Sequence, residues 1–297
     1  VRLGKDIDES GVLREASWID TLKRLDLEVV PGIDDYRVAA EEAARSGVVG
    51  IVEFENADKV RLWPARVADG VTALRVEASI WPSRLPAAIA AGHRTGATLD
   101  GRGLVTVGCL KIIVAGSLNT RTALCGDPYP GGGDDFGEQS VSTEQLHDLL
   151  ATAQEAGIAP AVHAIGDRTN TAVIDEFERL GISGIIEHAQ LVRTVDFTRF
   201  GRLGLVASIQ PEHTIDDRDV ADRHGPAGRT ARSPTVRCST AGPHCGLART
   251  PQSRRSTRGR HWPPRSAGHA TAARPGMSSR FSPGTRRWPP APEGVPR

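Results

Sequence analysis

The chain of 297 residues predicts an α/β protein in which parallel strands alternate with helices, and two observations carry that prediction. About six apolar runs of strand length are separated by segments with helical periodicity. Several of those runs end in polar residues suited to chemistry, the arrangement of a (β/α) barrel, whose strands carry the site at their carboxyl ends. An open doubly wound sheet also satisfies the alternation, but it accounts less easily for polar residues ending strand after strand.

The elements follow in order. Residues 17 to 27 have helical spacing. IDDYRVAAEEAARSG is a stronger helix, with Asp34 or Asp35 to cap it, alanines for propensity and Gly47 to end it in the left-handed conformation. It leads into VVGIVEFE, a β-branched strand. After a connection, TALRVEASIW alternates Leu74, Val76 and Ala78 with charged neighbours. Ser83 to Gly92 is a short helix, and LVTVGCLKIIVAGS is the most apolar strand, with Lys111 in its middle. A glycine-rich loop, NTRTALCGDPYPGGGDDFGE, reads as a mobile cover over the strand ends; it has neither GK[ST] nor GxGxxG, so a phosphate cradle is not indicated. Ser142 and Gln145 form a capping box for a helix from Thr143 to Ala156 that Gly157 stops. Next come strand PAVHAIG, a helix carrying Val173, Ile174, Phe177 and Leu180, a Gly181 stop, strand GIIEHAQ, a short helix with Phe197, Phe200 and Leu203, and strand GLVASIQPEH.

After Asp222 this pattern stops. From Arg223 onward there are fifteen arginines, no lysine and one acid, Glu293, so the overall net charge of +1 conceals a basic last quarter and an acidic remainder. Such a segment buries too little apolar surface to offset its ordering entropy and reads as disordered. The expected organisation is therefore an α/β domain over 1–222 and a basic tail over 223–297. The four cysteines form no CxxC pair, which suits reduced thiols and a cytoplasmic protein, and no apolar run approaches the length of a membrane span. The tail offers non-specific, salt-sensitive affinity for nucleic acid or another acidic surface. It has few aromatics for stacking, and its prolines break any basic helix, so nucleic acid is not the expected partner.

The candidate chemistry lies in Ala159 to Gln190. Each of its two strands ends in a histidine with a carboxylate nearby: His163 with Asp167, and His188 with Glu187. Imidazoles delivered to one end of adjacent parallel strands can hold a metal ion, with the carboxylates orienting them. They can equally serve as hydrogen-bonded residues of a packed sheet. Lys111, in an apolar strand, requires either a partner or loss of its charge.

In order along the chain, GVVGIVEFE, CLKIIVAGSLNTRTA with DPY after it, HAIGD, EHAQ and SIQPEH resemble the amidohydrolase superfamily, specifically the family 3 group that includes N-substituted formamide deformylases. The resemblance runs from about Gly11 to Asp219. It implies a metal-dependent hydrolase acting on carbon–nitrogen bonds other than peptide bonds, in a TIM-type (β/α)8 barrel. It further implies a divalent metal, zinc above all, held by His163, His188 and Lys111, the last as a carboxylated lysine. Asp167 and His213 would be the catalytic acid–base residues. Arg121 and Gln210 would contact a small amide-type substrate. The ion would acidify a water that attacks the carbonyl, and an acid would protonate the leaving amine.

Three departures accompany the match. No HxH pair occurs in the chain, no GSDxP aspartate follows, and Ala115 stands where the family usually has aspartate. The first methionine is Met277. The expectation is a partial barrel lacking its first and last strands, from a chain truncated at its start and shifted in reading frame near His224, with reduced or no activity of its own. A non-catalytic fragment is the alternative. Oligomeric state is not legible.

Overall fold

A computed structural model describes residues 31–210, 231–232 and 245–247. The chain divides into two units, Val1–Thr250 and Pro251–Arg297, and all described residues lie in the first. The helix expected at 17–27 and most of the tail beyond Asp222 lie outside the described residues.

Six strands form a parallel sheet in the order in which they occur: β1 (Gly50–Glu53), β2 (Arg75–Ile80), β3 (Val105–Ile113), β4 (Pro160–Ala164), β5 (Ile185–His188) and β7 (Val206–Ile209). The short strand Cys245–Leu247 continues it beside β7, also in parallel. A second pair, β6 (Val192–Arg193) with Ala231–Arg232, is antiparallel. Sequential parallel strands with a helix in most of the connections are the geometry of a partial (β/α) barrel, so the predicted class holds.

Helix Ile33–Arg45 starts differently from the sequence reading. Gly32 is the N-cap, and Asp35, three residues on, accepts the Gly32 N–H at 2.8 Å. A glycine has no side chain to cap with, so the reciprocal half of the box carries the helix start. Helix Thr143–Glu155 starts as expected, with Ser142 and Gln145 each accepting the other's backbone N–H. The segment read as a plain connection between β1 and β2 contains a helix, Lys59–Ala68. Pro64 deprives it of one internal hydrogen bond, but Trp63 and Val67 are buried and anchor it. Buried Lys59 pairs with Glu53 at 3.1 Å and so ties this helix to the end of β1.

The main core lies between sheet and helices. Leu110, Ile112, Val162, Ala164, Ile186 and Ile209 meet Leu146, Leu150, Val173, Ile174 and Phe177 from the helices Thr143–Glu155 and Asp167–Leu180. On β3, Val105 and Val107 face the helices before a bulge and Leu110 and Ile112 after it. The pairing explains this change: Ala78 aligns with Val107 but Ile80 with Leu110, so β3 carries one extra residue around Gly108. Unbroken alternation along the present sequence would put Lys111 on the side of Val105 and Val107. The bulge absorbs the extra residue, so Leu110 and Ile112 take the helix side and Lys111 the opposite, inner side. Gly108 suits this close approach, because a Cβ would stand 3.0 Å from the carbonyl carbon of Ala78, a tight contact with backbone.

Candidate metal centre

The inner side gathers the polar residues near the strand ends. Lys111 on β3, His163 on β4, Glu187 on β5 and Ser208 on β7 alternate with core residues, and His163 pairs in register with Glu187, which pairs with Ser208. The rings of His163 and His188 are 4.5 Å apart between centroids and meet edge to face at 66°. Both are half-buried. His163 Nε2 also lies 3.4 Å from the Gly116 carbonyl, just beyond β3.

Lys111 is 6% exposed, and its Nζ stands 4.6 Å from the centroid of Phe54, the residue after β1. Burial pulls its pKa from 10.5 down to about 8, against the opposing attraction of Glu187. Glu187 is itself buried and accepts a hydrogen bond from Ser208 Oγ at 2.7 Å. Glu187 is therefore held by the next strand and by its attraction for Lys111.

The structure brings the rings of His163 and His188 together, while Lys111 lies against Phe54 and is attracted by Glu187. Among the described residues, no group of three or more His, Cys, Asp or Glu side chains is arranged to hold an ion. Two adjacent imidazoles nevertheless fit a divalent ion as neutral nitrogen donors. Lys111 fits as a third donor only once its amine carries a carboxylate.

The remaining predicted residues have distinct placements. Asp167 opens helix Asp167–Leu180, and its Oδ1 accepts the Gly126 N–H at 2.9 Å, fastening the loop after β3. Arg121 lies in that loop with φ 60°, its guanidinium 5.4 Å from the Tyr129 ring centroid and 3.9 Å from Asp135. Gln210 is buried just past β7, and its amide donates to the Ser208 carbonyl at 3.2 Å. His213 lies outside the described residues.

The loop after β3 has packing of its own: Leu118, Ala123, Cys125 and Tyr129 form a small core with Ile165 and Leu191. Cys125 N–H donates to the Phe136 carbonyl at 2.8 Å, and Tyr129 hydroxyl to the Ala123 carbonyl at 2.7 Å. Burial raises the Cys125 thiol to about 11, so it is a packing residue at neutral pH. Phe54 and Ser208 escaped the sequence reading. Their signal was alternation: Ser208 falls between the core residues Ala207 and Ile209.

The fold is thus a partial (β/α) barrel with His163 and His188 near the ends of two consecutive strands. Residues 29–248 match the profile of the amidohydrolase family (Amidohydro_3), and the chain belongs to that family. The fold is similar to a solved metal-dependent hydrolase, uncharacterized, from Pyrococcus horikoshii OT3, at 29% identity and TM-score 0.65, over 75% of this chain and 46% of that one. A second uncharacterized metal-dependent hydrolase, from Pyrococcus furiosus, gives 26% identity and TM-score 0.68 over 84% and 53%. In Arabidopsis thaliana, the protein LONG AFTER FAR-RED 3 is 33% identical over 120 residues, which are 38% of this chain and 21% of that protein. The chain thus spans about half the length of the two hydrolase structures it matches.

Proposed function

We propose that this chain carries part of the centre of a metal-dependent hydrolase that cleaves carbon–nitrogen bonds of small amide or formamide substrates, outside peptide linkages. The observation that carries the reading is the edge-to-face contact of His163 and His188 at 4.5 Å, at the ends of neighbouring parallel strands, on a family framework. His163 and His188 would hold the ion, zinc in the first instance, as neutral imidazoles. A lysine held down to about 8 keeps an appreciable share of neutral amine near neutral pH. That form adds carbon dioxide: the nitrogen lone pair forms the N–C bond, one N–H proton leaves to solvent, and the side chain becomes an anionic oxygen donor. Once bound, the ion would supply Lewis-acid polarisation of a carbonyl and an acidified water. Arg121 and Gln210, beside the strand ends, are the groups available to orient the substrate. Asp167 and His213 are the acid–base candidates for the leaving amine.

The test is amine release from N-substituted formamides and other non-peptide amides by the zinc-loaded chain. Loss of release in His163→Ala and in His188→Ala, together with dependence on zinc, is expected. Release that persists in both variants or after zinc removal overturns the reading.

A further inference from the structure

Along its edge facing β4, strand β3 changes partner partway. Before the bulge that edge is antiparallel to residues 96–99: Gly96 N–H donates to the Val107 carbonyl at 2.8 Å, Val107 N–H to the Ala97 carbonyl at 2.9 Å and Leu99 N–H to the Val105 carbonyl at 2.8 Å. After the bulge it is parallel to β4, starting with Leu110 N–H to the Ala159 carbonyl at 2.9 Å. The Thr95 hydroxyl spans the join. It donates to the Gly108 carbonyl at 2.8 Å and accepts the Ala159 N–H at 2.9 Å. Its own N–H donates to the Gly157 carbonyl at 3.1 Å, which fastens the residue to the turn entering β4. Backbone groups removed from water need partners, and here one hydroxyl, as donor and acceptor at once, supplies a rung between two strands. Lys111 follows Gly108 by three residues and His163 follows Ala159 by four, beyond the seam that Thr95 closes.

We infer that Thr95 is a positioning residue for the candidate centre: its hydroxyl locks β3 against β4 in the register from which Lys111 and His163 project. The inference rests on the reading of those two as site residues. A purely structural role would lower the stability of the whole domain and open every buried site alike. A positioning role opens the seam first, because a hydrogen bond lost at one place raises local opening there before it raises global unfolding.

The experiment uses the full chain, with acylation of lysine amines by N-hydroxysuccinimidyl acetate at a single pH and amide hydrogen exchange read at single residues. Lys59, buried as deeply as Lys111 but paired with Glu53 beside β1, is the internal reference. Thr95→Val keeps the side-chain shape and loses the hydroxyl. It should raise Lys111 acylation relative to Lys59 by roughly tenfold, the scale of one hydrogen bond left unmade, and speed exchange at the Leu110 amide. Thr95→Ser, which retains the hydroxyl, should hold the wild-type ratio. A wild-type ratio in Thr95→Val, including one in which Lys111 and Lys59 rise together, overturns the inference. In the unaltered chain, the Ala159 amide should be as strongly protected as that of Leu110. Faster exchange at Ala159 overturns the inference without any substitution, so the test is decisive even if Thr95→Val does not fold. None of these readouts uses a metal or a substrate, so their failure is distinct from failure of the amine-release test.

Discussion

On the helix-facing side of the sheet, Leu110, Ile112, Val162, Ile186 and Ile209 are apolar and almost inaccessible to water, whereas the same strands present Lys111, His163, Glu187 and Ser208 on the other side. The first set gains free energy from removal of apolar surface from water. The second set places a cation and a carboxylate where burial penalises charge, and it offsets that only partly through the Ser208–Glu187 hydrogen bond and the attraction of Glu187 for Lys111. A barrel strand can therefore carry stability on one side and chemistry on the other, with substitutions on the two sides producing different kinds of loss.

The largest expected effect tests the helix side. Phe177 is fully buried and lies against Gly184, where an added Cβ would sit 2.6 Å from its ring. Phe177→Ala should cost about 3–5 kcal/mol in denaturant unfolding. The zinc affinity of the molecules that remain folded should be unaffected.

The next effect tests the inner side through pH. Lys111 has a folded pKa of about 8 against 10.5 for the ordinary group. Between those values the unfolded chain binds more protons than the folded one, so stability rises with pH across that window. Below about 8 the folded protein bears the full penalty of a buried ammonium, of order 3 kcal/mol. Lys111→Met should remove this slope, equalling or exceeding wild-type stability at neutral pH while losing whatever zinc affinity Lys111 supplies. A wild-type stability profile parallel to that of Lys111→Met between pH 8 and 10.5 would refute the burial penalty.

Smaller effects sharpen the contrast from the periphery. Ser142→Ala removes the acceptor for the Gln145 N–H and should cost about 1 kcal/mol, read from the denaturation midpoint. Arg45→Ala, which breaks exposed pairs with Glu41 and Glu42, should change stability by less than about 0.5 kcal/mol.

Most of this framework is legible in the sequence where one physical signal dominates. Glycine stops at Gly47 and Gly181, the capping box at Ser142 and the alternation of Val76 and Ala78 are local, and each appears as expected. Helix Lys59–Ala68 was obscured because Pro64 argues locally against a helix that Trp63 and Val67 hold by tertiary burial. The orientation of Lys111 was also beyond local reading, since it depends on how β3 pairs with β2 rather than on the spacing within β3. Similarly, His163 and His188 could be identified as candidates from strand ends, but their ring contact accompanies a left-handed backbone at His188 that a histidine does not advertise. Asp167 illustrates the converse. Its proximity to His163 in sequence suggested a shared role, while the fold spends one of its oxygens on Gly126 in a loop forty-one residues earlier.

The extra residue in β3 has a genetic corollary. Loss of one codon at Gly108 would restore regular pairing with β2 and still leave Lys111 on the inner side, because Leu110 would stay aligned with Ile80 and Lys111 follows it by one residue. Two lengths of β3 therefore present the lysine to the same side, one through a bulge and one through plain alternation. A survey that demanded fixed spacing between Val107 and Lys111 would discard relatives that reach the same arrangement on an unbulged strand.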